Sequence, residues 1–223
     1  MIFRLVIQLA LWLLSMALVL FLAAGDPSWS AAWAFLFEVG MLSLAVGLAL
    51  NARDPRLLAE RMKAPIHREQ VAWDRRFIIA LILGFYSWLA FMGLDAWRLR
   101  WSHLPQSLQG VGLLLVAATF CISWLTFRAN PFAVTTVRTQ AGQSVIDSGP
   151  YAFVRHPMYA GAMAFFIGAP LMLGSWVGLA LAPLFIIAVA MRALGEERLL
   201  HERLPGYTNY AARVRYRFVP RVW

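Results

Sequence analysis

The sequence predicts an all-α, polytopic integral membrane protein with about six hydrophobic helical segments, the last two of which form a helical hairpin. Hydrophobic residues make up 61% of the 223-residue chain and charged residues only 14%, whereas about a quarter of a soluble domain is charged. Several apolar runs approach the ~20 residues that a helix needs to cross a bilayer. The short alternating segments that are typical of a membrane β-barrel are absent from the sequence.

Four apolar runs in the first part of the chain predict four spanning helices. They cover residues 5–24, 31–50, 77–94 and 108–127. The first run resembles a signal peptide, with Arg4 ahead of it and small residues behind. We interpret it as a retained helix because it exceeds the ~7–15 apolar residues of a secretory signal. The single cysteine, Cys121, lies in the fourth run, which leaves no disulfide framework and no cysteine metal cluster.

The distribution of Lys and Arg predicts the orientation of the chain. Eighteen of them lie before the first run or in the segments 51–76, 128–158 and 192–223, and the alternate loops hold two. By the positive-inside rule, the richer side is cytoplasmic. The net charge of +9 then faces anionic lipid headgroups, each nearby cation contributing roughly 1 kcal/mol. No recognisable nucleic-acid motif accompanies the charge, so the expected partner is the lipid bilayer and not nucleic acid.

The last apolar stretch predicts the hairpin. Residues 160–192 form one run of 33 residues, which is about 50 Å as a single helix against a hydrocarbon core of about 30 Å. Gly174 and Ser175 supply a break near its middle. We therefore expect a tight hairpin with arms of about 15 residues, each short for a full span. Whether five or six segments cross the bilayer fully stays open. The hairpin returns the C-terminal arginines to the cytoplasm.

The chain thus divides into two regions. Residues 1–127 carry four spanning helices and the cytoplasmic interfacial insert 51–76. Residues 128–223 form the region for binding and chemistry, made of a loop (128–158), the hairpin and a cytoplasmic C-terminal segment (193–223).

Two local patterns refine this organisation. In the insert, Asp54 before Pro55 predicts the N-cap and first position of a short interfacial helix. The tail 207–223 interleaves aromatic residues with arginines, a composition typical of a segment that lies in the membrane interface.

The polar stretch before the hairpin carries the most informative pattern, in which Arg155 and His156 precede Pro157, Met158 and Tyr159. Proline biases the residue before it away from helix, so we expect a helix to begin near Pro157. Exposed N–H groups at this helix start, beside Arg155 and His156, suit an anionic group. The alternative is an interfacial helix start, with Arg155 on lipid phosphates and Tyr159 in an aromatic belt.

A second pattern lies at the exit of the hairpin. Arg192 and Glu196 are four residues apart and share one helix face, whereas Glu197 points about 100° away. The ordinary interpretation is a helix-stabilising ion pair at the membrane edge, worth about a few tenths of a kcal/mol. However, placing arginine, histidine and glutamate next to membrane-length apolar segments costs free energy, and this cost suggests that the residues have a function.

The order and spacing of these patterns, followed by Pro205-Gly206-Tyr207-Thr208-Asn209-Tyr210, resemble the isoprenylcysteine carboxyl methyltransferase family, most clearly over residues 135–220. The resemblance implies an integral membrane enzyme that uses S-adenosyl-L-methionine. It also implies a prokaryotic member, in a bacterial inner membrane with the active site facing the cytoplasm. The glycine-rich turn of a Rossmann-type methyltransferase is absent from the sequence, so the cofactor would bind by a non-Rossmann route.

The resemblance also implies roles for individual residues. Arg192 is expected to face the acceptor, and Arg155 to steady the site or touch either ligand. A glutamate can accept hydrogen bonds from the cofactor's amino group or ribose, and an arginine can hold a carboxylate. No metal site is expected, because His67, His103 and His201 lack ligand spacing. The residues expected around the cofactor are Gln143, Ser144, Val145, Ile146, Tyr151, His156, Pro157, Met158, Tyr159, Glu196 and Glu197.

The predicted function is methyl transfer to a lipophilic small-molecule or prenylated acceptor that enters laterally from the bilayer. A carboxylate acceptor is preferred because Arg192 would repel an amine. One alternative is a phospholipid amine N-methyltransferase, and another is a non-catalytic membrane protein that keeps the scaffold for lipid, haem or partner binding. The choice among O-, N- and S-methylation, the oligomeric state and the role of Glu38 in the second run stay open.

Overall fold

The computed structural model describes residues 1–64, 66, 71–134 and 142–223. Within these residues the chain forms eight α-helices and no strand, which confirms the predicted all-α fold. The helices are α1 (Ile2–Ala24), α2 (Ser30–Arg53), α3 (Pro55–Arg61), α4 (Ala72–Gly93), α5 (Gln106–Ala129), α6 (Pro157–Leu173), α7 (Trp176–Arg203) and α8 (Tyr207–Arg213). A π-helical turn (Leu94–Arg98) extends α4, and a 3-10 turn (Gly149–Ala152) precedes α6.

Five helices, α1, α2, α4, α5 and α7, are long and apolar enough to cross a membrane, and α6 is a shorter apolar helix. Large apolar side chains remain exposed on the outside of the bundle, as at Phe37 (71% exposed) and Leu83 (65%). Such extensive apolar surface suits contact with lipid. The protein is therefore a multi-pass membrane protein, as predicted, with α6 as its short segment.

The insert between α2 and α4 is tied to the ends of three long helices. The Asp54 carboxylate accepts a hydrogen bond from the Leu57 backbone N at 3.0 Å, and Pro55 is the first helical residue, which confirms the predicted cap of α3. Leu57 and its neighbour Leu58 pack in a cluster with residues of α2 and α5. Gln8 of α1 donates to the backbone carbonyl of Met62. The insert thus braces one end of the bundle.

The hairpin turns at the predicted break. Gly174 adopts a left-handed conformation with φ of 80°, and the Ser175 side chain accepts from the Gly178 backbone N at the start of α7. The expectation of short arms of about 15 residues holds for α6, which has 17 residues, and is wrong for α7, which has 28. The second helix continues beyond the apolar run through polar residues to Arg203, and hydrophobicity cannot detect that continuation.

A buried carboxylate anchors the tip of the hairpin. Asp95, only 1% exposed, accepts from the hydroxyls of Ser102 and Ser175, both at 2.6 Å. The Ser102 hydroxyl in turn accepts from the Trp176 backbone N. Because Ser102 belongs to the connection between α4 and α5, the hairpin tip reaches the same end of the bundle as that connection. We call this the far end, and the opposite end, where α6 begins, the site end.

Glycines bring α5 and α6 into backbone contact. A Cβ atom built on Gly112 would lie 2.3 Å from the backbone N of Met172 and 2.7 Å from the carbonyl oxygen of Gly168. Closer to the site end, the Thr119 hydroxyl donates to the carbonyl of Gly161 at 3.0 Å. Small residues allow this close approach of membrane helices. The start of α6, and with it the polar stretch before the helix, is thereby held against α5.

We expect Gly112→Ala to destabilise the protein by about 1–3 kcal/mol, since the added methyl group overlaps backbone atoms that cannot rotate away. Gly110→Ala is the matched control, because a Cβ atom at this position of the same helix meets nothing within 4 Å. The control should be neutral or slightly stabilising, as alanine favours helix. Thermal unfolding in detergent compares the two variants, and equal melting temperatures would contradict the close packing.

Candidate functional site

A cavity of about 800 Å³ lies at the site end, within the roughly 300–1,000 Å³ range of small-molecule sites. Its lining has two parts. The polar half is lined by Asn130, Gln143, Ser144, Tyr151, Arg155, His156, Glu196, Tyr207 and Tyr210, among others. The apolar chamber lies among α1, α4, α5 and α6 and is lined by Trp12, Ile78, Leu81, Ile82, Phe85, Tyr86, Thr119, Phe120, Ser123, Ala162, Phe165 and Phe166.

The structure brings nearly all of the predicted site residues to this cavity. The segment 143–146, Tyr151 and the stretch 155–159 line it, as do Arg192 and Glu196 of α7. Glu197 is the exception, because its side chain faces away from the cavity lining and is 5% exposed. The stretch 143–159 and the exit of α7 thus meet around one cavity, and the roles of their residues stay predictions.

Glu197 holds a buried charge cluster behind the cavity wall. One carboxylate oxygen, Oε1, accepts from Arg155 Nε at 2.7 Å and lies 3.1 Å from His156 Nε2. The other, Oε2, accepts from Arg217 Nε at 2.9 Å. These contacts join α7 to the loop before α6 and to the C-terminal segment. Glu197 therefore holds the segments behind the cavity wall together.

The Arg155 guanidinium is engaged on the same side. Its Nη1 donates to the carbonyls of Val214 at 2.9 Å and Arg215 at 3.1 Å, just beyond α8. The backbone N of Arg155 donates to the carbonyl of Tyr216, also at 2.9 Å. Carbonyls at a helix end lack partners inside the helix, and a cation satisfies them well. Arg155 thus fastens the C-terminal segment to the start of α6.

A second buried network lies between the polar half and the apolar chamber. Arg192 Nε donates to Asp74 Oδ1 at 2.8 Å, and Arg192 Nη1 donates to the Tyr159 hydroxyl at 2.9 Å. The Tyr159 hydroxyl donates to Glu196 Oε2 at 2.9 Å. Asp74, in the first turn of α4, is fully buried. Arg192 and Glu196 therefore share one face of α7 and meet at Tyr159, as their spacing predicts.

The start of α4 docks against the exit of α7 beside this network. The Trp73 ring packs on Gly195, where an added Cβ atom would lie 2.8 Å from the ring. Together with the ion pair between Asp74 and Arg192, this contact fixes the position of Glu196 relative to the bundle. A larger residue at position 195 would displace the tryptophan ring from this contact.

His156 links the helix start to both networks. It is the N-cap residue of α6, with φ of −127°, and Pro157 is the first helical residue, as predicted. Its imidazole stacks on the Tyr159 ring with 5.4 Å between centroids. Its Nδ1 lies 4.0 Å from Glu196 Oε2. The stacking orients the imidazole edge towards the two glutamates.

Tyrosines form one wall of the polar half. The Tyr151 hydroxyl accepts from Asn130 Nδ2 at 2.9 Å, and the Tyr151 carbonyl accepts from the Tyr210 hydroxyl at 2.8 Å. The Tyr207 hydroxyl is buried without a hydrogen-bond partner among the described residues. Burial raises the pKa of Tyr151 to about 12 and the pKa of Tyr207 well above its ordinary value. Both hydroxyls are therefore neutral, and that of Tyr207 can donate to a ligand in the cavity.

Some residues of the site escaped the sequence interpretation. The sequence does mark the position of Asn130, since Asn before Pro is typical of a helix end. The sequence also marks Asp74, because a carboxylate beside an apolar run is unusual.

The expectation of an interface-lying tail is wrong for Tyr207, Tyr210 and Phe218, which are 3–4% exposed. Interleaved aromatic and basic residues suit both lipid and protein contact, so composition alone could not decide.

Metal ligands are not clustered in the described part of the chain, where no group of three or more His, Cys, Asp or Glu side chains is placed to hold an ion. His201 contacts the Thr208 hydroxyl at 3.0 Å. His67 lies outside the described residues. Glu38 does not line the cavity, and its Oε2 is buried without a hydrogen-bond partner among the described residues.

The fold and the cavity define a multi-pass membrane protein with a polar site that opens into a chamber among its membrane helices. Residues 108–205 match the family model described as phospholipid methyltransferase. The matched residues include α5, α6, α7 and most of the polar half. The predicted resemblance to membrane methyltransferases is thereby confirmed over these residues. No curated protein matches the chain.

Proposed function

We propose that the protein is a membrane-embedded, S-adenosyl-L-methionine-dependent methyltransferase that acts on a lipophilic acceptor. One observation carries the proposal. A single cavity joins a polar half, with Glu196, His156 and Tyr151, to an apolar chamber among membrane helices, in a chain with a phospholipid methyltransferase match. A water-soluble donor and a lipid-soluble acceptor can meet only in a cavity with both kinds of lining.

The residues of the polar half fit the cofactor. Glu196 Oε1 has no hydrogen-bond partner among the described residues, so it can accept from an amino group or a ribose hydroxyl. The Tyr207 hydroxyl lacks a partner in the described chain and can donate. The segment 143–146 lines the cavity. When bound, the cofactor supplies a methyl group on a sulfonium, which is already an activated leaving group.

The protein's own contribution is orientation and exclusion of water. In-line methyl transfer to an ionised acceptor needs no general base, but it needs the acceptor held in the line of attack in a dry site. Arg192 and Tyr159 are held by Asp74 and Glu196 where the two halves of the cavity meet. We assign acceptor binding to Arg192, and we assign positioning roles to Arg155 and Glu197.

The first candidate acceptor is a carboxylate of the isoprenylcysteine kind. Arg192 supports it, since a planar guanidinium can hold a carboxylate through two parallel hydrogen bonds. Asp74 weakens this support, because the buried pair of Arg192 and Asp74 carries no net charge.

The second candidate acceptor is a phospholipid amine. The family description names phospholipids, and Asp74 cancels the repulsion that Arg192 alone would exert on an amine. Glu196 adds a negative charge at the same place, which favours binding of an ammonium group. That group must lose its proton, to Glu196 or to water, before its nitrogen can take the methyl group. The two candidates differ in the product that they yield, so an assay with both acceptors separates them.

Purified protein with isotope-labelled S-adenosyl-L-methionine should transfer label to an S-prenylcysteine analogue or to phosphatidylethanolamine, as detected by mass spectrometry. Arg192→Lys should lower the transfer rate about tenfold to a hundredfold, through loss of roughly 1.5–3 kcal/mol of charge-assisted hydrogen bonding. Affinity for S-adenosylhomocysteine should be nearly unchanged. Arg198→Lys, at an exposed position of the same helix, is the control. Cofactor binding without transfer to any acceptor or lipid extract would favour a non-catalytic protein.

The adjacent glutamates provide a matched pair of variants. Glu196→Gln should weaken calorimetric binding of S-adenosylhomocysteine by about tenfold or more, since a charge-assisted acceptor is lost. Glu197→Gln should instead lower the free energy of unfolding by about 3 kcal/mol, because Arg155 and Arg217 lose their counter-charge. If Glu197→Gln weakened cofactor binding and Glu196→Gln lowered the stability instead, Glu197 would contact the cofactor and Glu196 would support the cavity wall.

We also propose that the site end faces the cytoplasm of a bacterial cell. In a Cys121→Ser background, an impermeant maleimide should label Arg100→Cys in intact cells, since position 100 lies at the far end. Arg56→Cys and Arg215→Cys, at exposed positions of the site end, should react only after the membrane is opened. Labelling of position 215 together with position 100 in intact cells would contradict this orientation.

A further inference from the structure

The apolar chamber ends at a layer of aromatic rings. Phe85 of α4 and Phe166 of α6 line the chamber, and Phe165 lies between them with centroids 6.2 Å from each. Behind these rings, Trp88 lies 5.8 Å from Phe166 and is 1% exposed. The Trp88 indole is fixed by a hydrogen bond of 2.8 Å to the Gly178 carbonyl. We call Phe85, Phe165 and Phe166 the floor of the chamber.

Beyond the floor, the interior between α1, α4, α5 and α6 is closely packed. Met16 of α1, Leu89 of α4, Val116 of α5 and Ala169 of α6 are all 0% exposed and belong to one core cluster. These four residues come from the same four helices that line the chamber. Protein interiors packed in this way leave no space for a chain of carbon atoms. A tail in the chamber therefore stops at the floor.

The depth of the chamber follows from helix geometry. On α6, Tyr159 lies at the junction with the polar half and Phe166 at the floor, seven residues or about 10 Å further on. On α4, the lining runs from Ile78 to Tyr86, which is about 12 Å. With carbon–carbon bonds of about 1.5 Å in a zigzag chain, this depth holds about eight to ten carbon atoms.

We propose that Phe85, Phe165 and Phe166 limit the acceptor to one tail of about eight to ten carbons inside the chamber. The inference rests on the proposed function and deepens it, because it names the class of tail. The cavity of about 800 Å³ is shared with the polar half, so the chamber has room for one chain. A medium-chain alkyl or short isoprenoid acceptor fits, and a two-chain phospholipid would leave at least one chain in the bilayer.

Two series of probes test the floor: S-alkyl thioglycolates for the carboxylate head group and N-alkyl ethanolamines for the amine, each with 6 to about 16 carbons. Binding to protein in lipid nanodiscs, with S-adenosylhomocysteine present, is measured from the thermal shift. Relative to the free probe concentration in water, each added carbon should strengthen binding about fourfold up to eight to ten carbons, with no gain beyond. Methyl transfer to the same probes is measured in parallel.

Two variants should move this limit in opposite directions. Phe165→Ala opens the floor and should shift the limit to longer chains, by about two to three carbons. Ala162→Leu fills the chamber one turn above the floor and should shift it to shorter chains. Phe37→Ala removes a phenyl ring at a lipid-facing position that is 71% exposed, and it should leave the limit unchanged. Partition of the longer chains into the bilayer is the same for every variant, so comparison with Phe37→Ala separates it from binding in the chamber.

A steady gain to the longest chain, or the same limit in all variants, would overturn the inference. So would absence of probe binding in protein that binds S-adenosylhomocysteine normally. A limit that moves as expected without methyl transfer to any probe would support the floor and overturn the proposed function instead.

Discussion

A single buried carboxylate, Glu197, holds together the three segments that form the polar half of the cavity. Its two oxygens bind Arg155, Arg217 and His156 at 2.7–3.1 Å. Isolated buried charges are costly, and such a cluster is favourable only when all its partners are in place. The loop before α6, the exit of α7 and the C-terminal segment are therefore positioned together or not at all. The tyrosine wall of the cavity depends on this cluster, because Tyr207 and Tyr210 lie in the segment that Arg155 fastens.

The far end of the bundle contributes to the same geometry. Asp95 holds the hairpin tip against the connection between α4 and α5, and Gly112 allows α6 to lie in backbone contact with α5. Since α6 is a continuous helix of 17 residues, its position at the far end determines where His156 lies at the site end. The Glu197 cluster at the start of this helix and the Asp95 contact at its end, about 25 Å apart, thus fix the candidate site.

The boundary between the two halves of the cavity is electrostatic as well as hydrophobic. Arg192, Asp74, Tyr159 and Glu196 form a continuous hydrogen-bonded row between a polar and an apolar lining. The ion pair of Arg192 with Asp74 makes the burial of these two charges beside the chamber tolerable. The row also changes what Arg192 can do: an arginine with a buried aspartate partner is a rigid, directional donor with little net charge. In the proposed reaction, such a donor would select the acceptor by hydrogen-bond geometry more than by charge alone.

The sequence by itself determined the apolar helical segments, the hairpin turn at Gly174 and the start of α6 at Pro157, because these depend on local hydrophobicity and backbone chemistry. Residue spacing also separated Glu196 from Glu197 on the surface of α7. The partners of these residues were decided only by the tertiary structure. Asp74 and Arg192 are 118 residues apart in the chain, and no local pattern relates two positions so far apart.

The inward packing of the tail has the same explanation. Tyr207 and Phe218 are as compatible with a membrane interface as with a protein core, and their burial arises from the cluster around Glu197. The floor of the chamber likewise exists only where α4 and α6 meet, since Phe85 and Phe166 are ordinary apolar residues within their own helices. Local chemistry thus determines the elements of this protein, and long-range pairing of buried charges and rings determines its cavity.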